Sequence, residues 1–371
     1  MGGTVAALAR VAHAFRLLAL TAALTGLLAL VNPVPASAHI VGTGGSPSNY
    51  RITVTAMRPA VPAVAVTVGL GGEWARVTNK GAATIVILGY RGEPFLRLSD
   101  NRVEFNQLSS TAAQTGLIPG TSAPRGAAAQ GAAAGDPTDA PKWRYSSEGN
   151  SATWVDARIA APQSVSQSVS QSVSQSVSQS EQASGSWELP LLVDGRSVTV
   201  LGTRDLITPP STWPWIAALL LLIAGVAAIG WRRDWNRPMA YVLAVGVVAF
   251  VLHVVATGFG PQQSGALIGW VSVALMAGFS LVVGAVGLVS TVRGSESAPD
   301  RLVMVGAMVL LLAATDLSVL WNSQVPFPGP AVLDRVLTVL TYAVALGVLI
   351  AGLRLVRVGK AARAQLDSAS S

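Results

Sequence analysis

Five long apolar stretches occupy the C-terminal part of the chain, at 213–230, 239–258, 265–292, 302–320 and 332–353. Each is close to or above the roughly 18–20 residues that a helix needs to cross a hydrocarbon core. A chain with such segments has few folds open to it, because backbone polar groups in lipid must be satisfied within a helix or a closed barrel. The spacing predicts a bundle of five membrane-spanning helices over 213–353, followed by a basic tail at 354–371.

Residues 1–38 have the three parts of an export signal. Arg10 and Arg16 supply positive charge, an apolar run follows, and Ala36-Ser37-Ala38 is a small-x-small cleavage site behind Pro33 and Pro35. Cleavage there makes His39 the new N-terminus; the alternative is an uncleaved anchor helix. Export places the block after it outside the cytoplasmic membrane. The chain has no cysteine. Its exported part therefore relies on core packing without disulfides, and thiol nucleophiles and zinc–thiolate sites are excluded.

The net charge of +7 follows from topology and implies no nucleic-acid partner. Residues 39–212 carry thirteen basic and twelve acidic residues; the part beyond carries ten and six. There the arginines gather in alternate connections: Arg232, Arg233 and Arg237 in one, Arg293 and Arg301 in another, and Arg354, Arg357, Lys360 and Arg363 in the tail. The connections at 259–264 and 321–331 carry no charge. Basic residues are retained on the cytoplasmic side. Five spans then begin outside and end inside, in agreement with the export signal. The expected location is the cytoplasmic (inner) membrane, multi-pass, with the N-terminal domain extracytoplasmic and the C-terminus cytoplasmic. Trp213, Trp215, Trp231, Trp235 and Trp321 stand at span ends, where indole favours the interface. Asp334 opens the fifth span and is expected at the outer surface, on a helix N-terminus.

The exported block reads as β structure over 39–110 and 141–207. Tyr50-Arg51-Ile52-Thr53-Val54-Thr55 alternates in character, and short β-branched runs at 64–68, 74–78 and 84–88 are separated by Gly and Pro. Such runs suggest an antiparallel sandwich or small barrel. Asp194-Gly195 between apolar runs is a hairpin signal. Residues 143–159 are expected to return one strand to the sheet through Trp154 and Val155. The Ala/Gly/Pro-rich stretch 111–140 reads as a flexible insert. Residues 160–186 form a low-complexity spacer, in which Ser-Val-Ser-Gln repeats four times over 164–179. An extended adhesive or wall-crossing segment is the alternative for that spacer.

Candidate chemistry is sparse. His39 at a mature N-terminus can chelate copper through its α-amine and imidazole. Such a site needs another imidazole or a carboxylate, and Glu93 and Asp156 are among the candidate carboxylates; an ordinary residue after a signal cut is the alternative. His253 and Asp316 are ionisable groups inside apolar spans, which are costly there unless paired or wet. They lie at similar depth and can pair, either for a proton or metal step or as a helix–helix hydrogen bond. Gly225, Gly278, Gly284 and Gly287 suit close helix contact. There is no Gly-x-Ser-x-Gly, phosphate loop or dinucleotide fingerprint.

Several segments are distinctive: 42–50, 86–97, Pro141-Lys142-Trp143-Arg144, Trp154, Trp187-Glu188-Leu189-Pro190 and Trp213-Pro214-Trp215. Together they resemble a family of uncharacterised actinobacterial membrane proteins. That resemblance implies a signal peptide, an extracytoplasmic β domain and several C-terminal spans. Family members carry a histidine-rich segment after the position of Trp154, where this chain has Val155-Asp156-Ala157-Arg158. A second resemblance, to periplasmic copper-resistance proteins, rests on His39 ahead of a β domain. The leading expectation is a non-enzymatic envelope protein whose outer domain binds, senses or scaffolds, with the lipid bilayer and an envelope protein as partners. The alternative is copper handling, or small-solute or ion transport, through His39, His253 and Asp316.

Overall fold

The computed structural model describes residues 47–72, 74–115, 117, 139–160, 185–258, 266–314 and 316–370. The export signal, His39 and the Ser-Val-Ser-Gln repeat lie outside the described residues. The chain divides into a β unit, Gly45–Thr208, and a helical unit from Pro209 onward.

The β unit has ten strands among the described residues. In chain order they are β1 (Tyr50–Arg58), β2 (Val64–Val68), β3 (Ala75–Asn79), β4 (Ile85–Leu88), β5 (Pro94–Ser99), β6 (Arg102–Asn106), β7 (Trp143–Glu148), β8 (Ser151–Trp154), β9 (Gly185–Val193) and β10 (Arg196–Leu206). They form a seven-stranded sheet in the order β1-β10-β9-β4-β5-β6-β7 and a three-stranded sheet in the order β2-β3-β8. Every pairing is antiparallel. One apolar cluster draws on both sheets, with Val77, Ala152 and Trp154 from the smaller and Ile85, Phe95, Leu189 and Val200 from the larger. Alternation explains this. In β9, Trp187, Leu189, Leu191 and Val193 are buried, while Ser186 and Glu188 between and before them are exposed; side chains two apart share a face.

Asp194 and Gly195 join β9 to β10, both with positive φ (49° and 76°), as a two-residue type I′ turn requires. Two local features differ from the sequence reading. The segment after Pro141 supplies two strands to different sheets, and Val155 lies outside both, 53% exposed. A short helix, α1 (Ser110–Gln114), begins where a flexible insert is expected, and its residues Ser110 to Ala113 are buried. Ser109 caps it, its hydroxyl accepting from the Ala112 N–H, the usual role of serine at a helix start.

The helical unit contains α2 (Trp213–Ile229), α3 (Asn236–Gly258), α4 (Ala266–Val292), α5 (Ala298–Leu312) and α6 (Ala331–Ser370). Three segments, Asn236–Gly258, Val273–Val292 and Ala331–Ala369, are long and apolar enough to cross a membrane; Trp213–Ile229 is apolar but shorter. The fourth apolar stretch is not one helix. α5 ends at Leu312, and a 3-10 turn follows at Asp316–Leu320. The Ala313 carbonyl accepts the Asp316 N–H at 2.9 Å and also the Tyr342 hydroxyl, so it does not continue an α-helical ladder. α6 does not stop near 353 either, but continues through the basic tail to Ser370.

Glycines set the helix spacing. A Cβ at Gly306 would lie 2.6 Å from the Ala345 carbonyl oxygen, and one at Gly284 2.6 Å from Val247 Cγ2. Gly287 is similarly close to Val305, whereas Gly225 and Gly278 face open space; the sequence reading of those two as contact points is corrected. Arg354 donates to the Gly230 carbonyl and stacks over Trp231, and Arg363 pairs with Glu296. These contacts put both arginine-bearing connections and the start of the tail at one end of the unit.

Candidate functional site: an acid–imidazole–acid cluster

Three ionisable side chains meet near the opposite end of the helical unit. His253 is on the last turns of α3, Asp316 opens the 3-10 turn after α5, and Asp334 is in the first turn of α6. His253 Nδ1 lies 2.7 Å from Asp334 Oδ1, and Nε2 lies 3.4 Å from Asp316 Oδ2. Thus the structure brings together His253 and Asp316, both singled out by the sequence. It adds Asp334, which the sequence reading put at a wet helix end. Asp334 is instead fully buried, at 0% exposure. Arg335 beside it, itself buried, donates to the Val319 carbonyl of the 3-10 turn and to the Asn322 carbonyl just after it, tying that segment to the start of α6.

A carboxylate only accepts, so an imidazole with a carboxylate at each nitrogen is satisfied when both nitrogens carry hydrogen. His253 as imidazolium, with Arg335 beside Asp334, balances the charges of Asp316 and Asp334. A buried cluster of this kind is tolerated when it is paired and neutral overall. The carboxylates sit on opposite edges of the ring, so the three cannot converge on one metal ion. Among the described residues no group of three His, Cys, Asp or Glu side chains is placed to hold one.

Two more oxygens set this region apart. Thr338 and Thr341 follow Asp334 at one and two turns along α6, 2% and 3% exposed. Their hydroxyls, like Asp334 Oδ2, have no hydrogen-bond partner among the described residues. The spacing 334, 338, 341 is a polar stripe in an apolar helix, a signal the sequence carried. Tyr342 is buried beside the cluster and spends its hydroxyl on the Ala313 carbonyl.

In the β unit, Glu93 and Asp156 are committed to structure. Glu93 Oε1 accepts from the hydroxyls of Ser109, Ser110 and Thr111 and from the Thr111 N–H, and Oε2 from the Arg91 N–H. Burial alone would raise the Glu93 carboxyl; the Thr111 hydroxyl and N–H, the backbone at Glu93 and the Ser109 hydroxyl outweigh it and hold the group below its ordinary value. Gly89 is needed beside it, since a Cβ there would lie 2.3 Å from Glu93 Oε1. Asp156 accepts from Trp154 Nε1 and is gripped by Arg158, which also stacks over Tyr90. Burial first, and then the Asp156 charge, raise the Tyr90 phenol against the lowering effect of the Ala157 N–H. Both carboxylates are engaged by donors of the β unit, and His39 lies outside the described residues. No family model, curated protein or solved structure matches the chain.

Proposed function

We propose that this chain is a non-enzymatic, proton-responsive membrane protein of the cell envelope, akin to the actinobacterial proteins it resembles. In this reading the β unit is an exported sandwich that binds an envelope partner. The helical unit is a five-span bundle with its arginine-rich end inside. The Asp316–His253–Asp334 cluster takes up and releases a proton on the outer side. One observation carries the reading: a buried imidazole faces a carboxylate at each ring nitrogen, and one of those carboxylates keeps an unpartnered oxygen. A purely structural helix contact needs one hydrogen bond. It does not need three ionisable groups, each of which is costly to hold in an apolar bundle.

The test is an infrared pH titration of the full-length protein in lipid nanodiscs. A carboxyl band that appears and disappears with pH, and is lost in Asp334→Asn, is expected. A spectrum with no titrating carboxyl attributable to these residues, over the range in which the protein stays folded, would reduce the cluster to packing.

A further inference from the structure

Helix α2 rests on α6 along one side. A Cβ at Gly347 would lie 2.6 Å from Val226 Cβ, and one at Gly230 2.9 Å from Ala351 Cβ. Leu220 and Leu221 of α2 are left exposed, at 60% and 74%. The end of α2 is a tight turn, in which the N–H groups of Gly230, Trp231 and Arg232 donate to the carbonyls of Ala227, Ala228 and Ile229. The Gly230 carbonyl accepts from Arg354 of α6. The same guanidinium stands 4.6 Å from the centre of the Trp231 ring. Closing the helix end in this way uses one of the five N–H groups of a guanidinium. Among the described residues no further hydrogen bond or ion pair takes Arg354, and Arg232, Arg233 and Arg357 form no ion pair. Arg232, Arg233 and Arg357 are exposed, and so is the Trp231 indole, at 59%.

We propose that Arg354, Arg232 and Arg233 form the headgroup site of an anionic phospholipid, with its acyl chains along the exposed face of α2. The inference rests on the membrane-bundle reading above and uses nothing of its proton site. The planar fork of an arginine matches the oxygens of a phosphate. An exposed indole at the end of an apolar helix marks the level of the interface, where the phosphate of a lipid lies. Charge favours the same ligand. This end of the unit has nine basic side chains, in the two connections and the tail, against four acidic ones. Of the acidic four, Asp234 is exposed in the same connection, Glu296 is held by Arg363, Asp300 is in the first turn of α5, and Asp367 is 13 residues beyond Arg354 along α6. A free phosphate or an acidic protein would meet the arginines alone. A phospholipid meets the arginines, the indole and the leucines that lead down to them, which is why the lipid is the occupant assigned.

Full-length protein in detergent micelles is titrated with phosphatidylglycerol and, separately, with phosphatidylcholine, and bound lipid is counted by native mass spectrometry. Phosphatidylglycerol should bind at least about tenfold more tightly, since each cation beside an anionic headgroup is worth about fivefold. Arg232→Gln/Arg233→Gln should remove that preference while leaving phosphatidylcholine binding and the melting temperature unchanged, because both side chains are exposed. Arg354→Lys keeps the charge but not the fork and should weaken phosphatidylglycerol about fivefold. Equal binding of the two lipids by the wild type overturns the site, as does a preference that survives in both variants. Glycerol 3-phosphate that displaces the lipid at equal concentration overturns the lipid as occupant, because the chains would then contribute nothing. Extraction of the protein from phosphatidylcholine vesicles by alkaline carbonate overturns the bundle reading itself, and the lipid site with it.

Discussion

The two carboxylates around His253 should be unequal, and the inequality can be worked from the structure. At an effective dielectric of about 20, unit charges about 4 Å apart attract by about 4 kcal/mol. The Asp334 contact is 2.7 Å with the carboxylate fully buried, so most of that attraction should survive. The Asp316 contact is 3.4 Å and its side chain is 26% exposed, so solvent screening and poorer geometry reduce it. We expect coupling energies of about 3 kcal/mol for His253–Asp334 and about 1 kcal/mol for His253–Asp316. The perturbations are His253→Gln, Asp334→Asn, Asp316→Asn and the two doubles. Unfolding of the full-length protein in mixed micelles, followed by tryptophan fluorescence, gives the two cycles. Asp334→Asn alone should cost about 3–5 kcal/mol, because Arg335 and the imidazolium lose their nearest counter-charge. Equal couplings, or a larger one for Asp316, would refute the assignment of His253 as an ion held chiefly by Asp334.

Glu93→Ala should cost the full-length protein about 3–5 kcal/mol, since three hydroxyls and two N–H groups lose their acceptor, with Glu93→Gln losing less; chemical denaturation measures both. Because the folded Glu93 carboxyl is held below its ordinary value near 4.5, its stabilising contribution is present above that pH. It should fade as pH falls further toward the folded value, and a denaturation series in that window should flatten in Glu93→Gln. Gly306→Ala and Gly284→Leu should each lower thermal stability by the equivalent of about 1–3 kcal/mol, while Gly278→Leu, with open space around it, should leave the melting temperature unchanged. A melting temperature lowered equally in all three would contradict the helix contacts.

Local periodicity carried much of the fold. The positive-φ pair Asp194-Gly195 is written in the residues themselves, and so is the alternation of β9. His253 and Asp316 stood out because charge inside apolar stretches is rare and expensive. Asp334 was misplaced because a carboxylate at a helix start normally sits in water, whereas here it meets His253 from a distant helix, and its neighbour Arg335 is tied to the 3-10 turn of another segment. That turn was itself hidden, since hydropathy over 302–320 gives no sign that the helix stops at Leu312. The Glu93 cradle was equally illegible. Its donors come from Ser109, Ser110 and Thr111, sixteen to eighteen residues away, at the edge of a stretch whose small polar composition resembles a linker.

Helix α6 spans 40 residues without a break, about 60 Å at the α-helical rise. The carboxylate that meets His253 and the cations that pair with Glu296 and stack on Trp231 therefore ride on one stiff lever. At that length a tilt of a few degrees at its first turn would displace its far terminus by several ångströms.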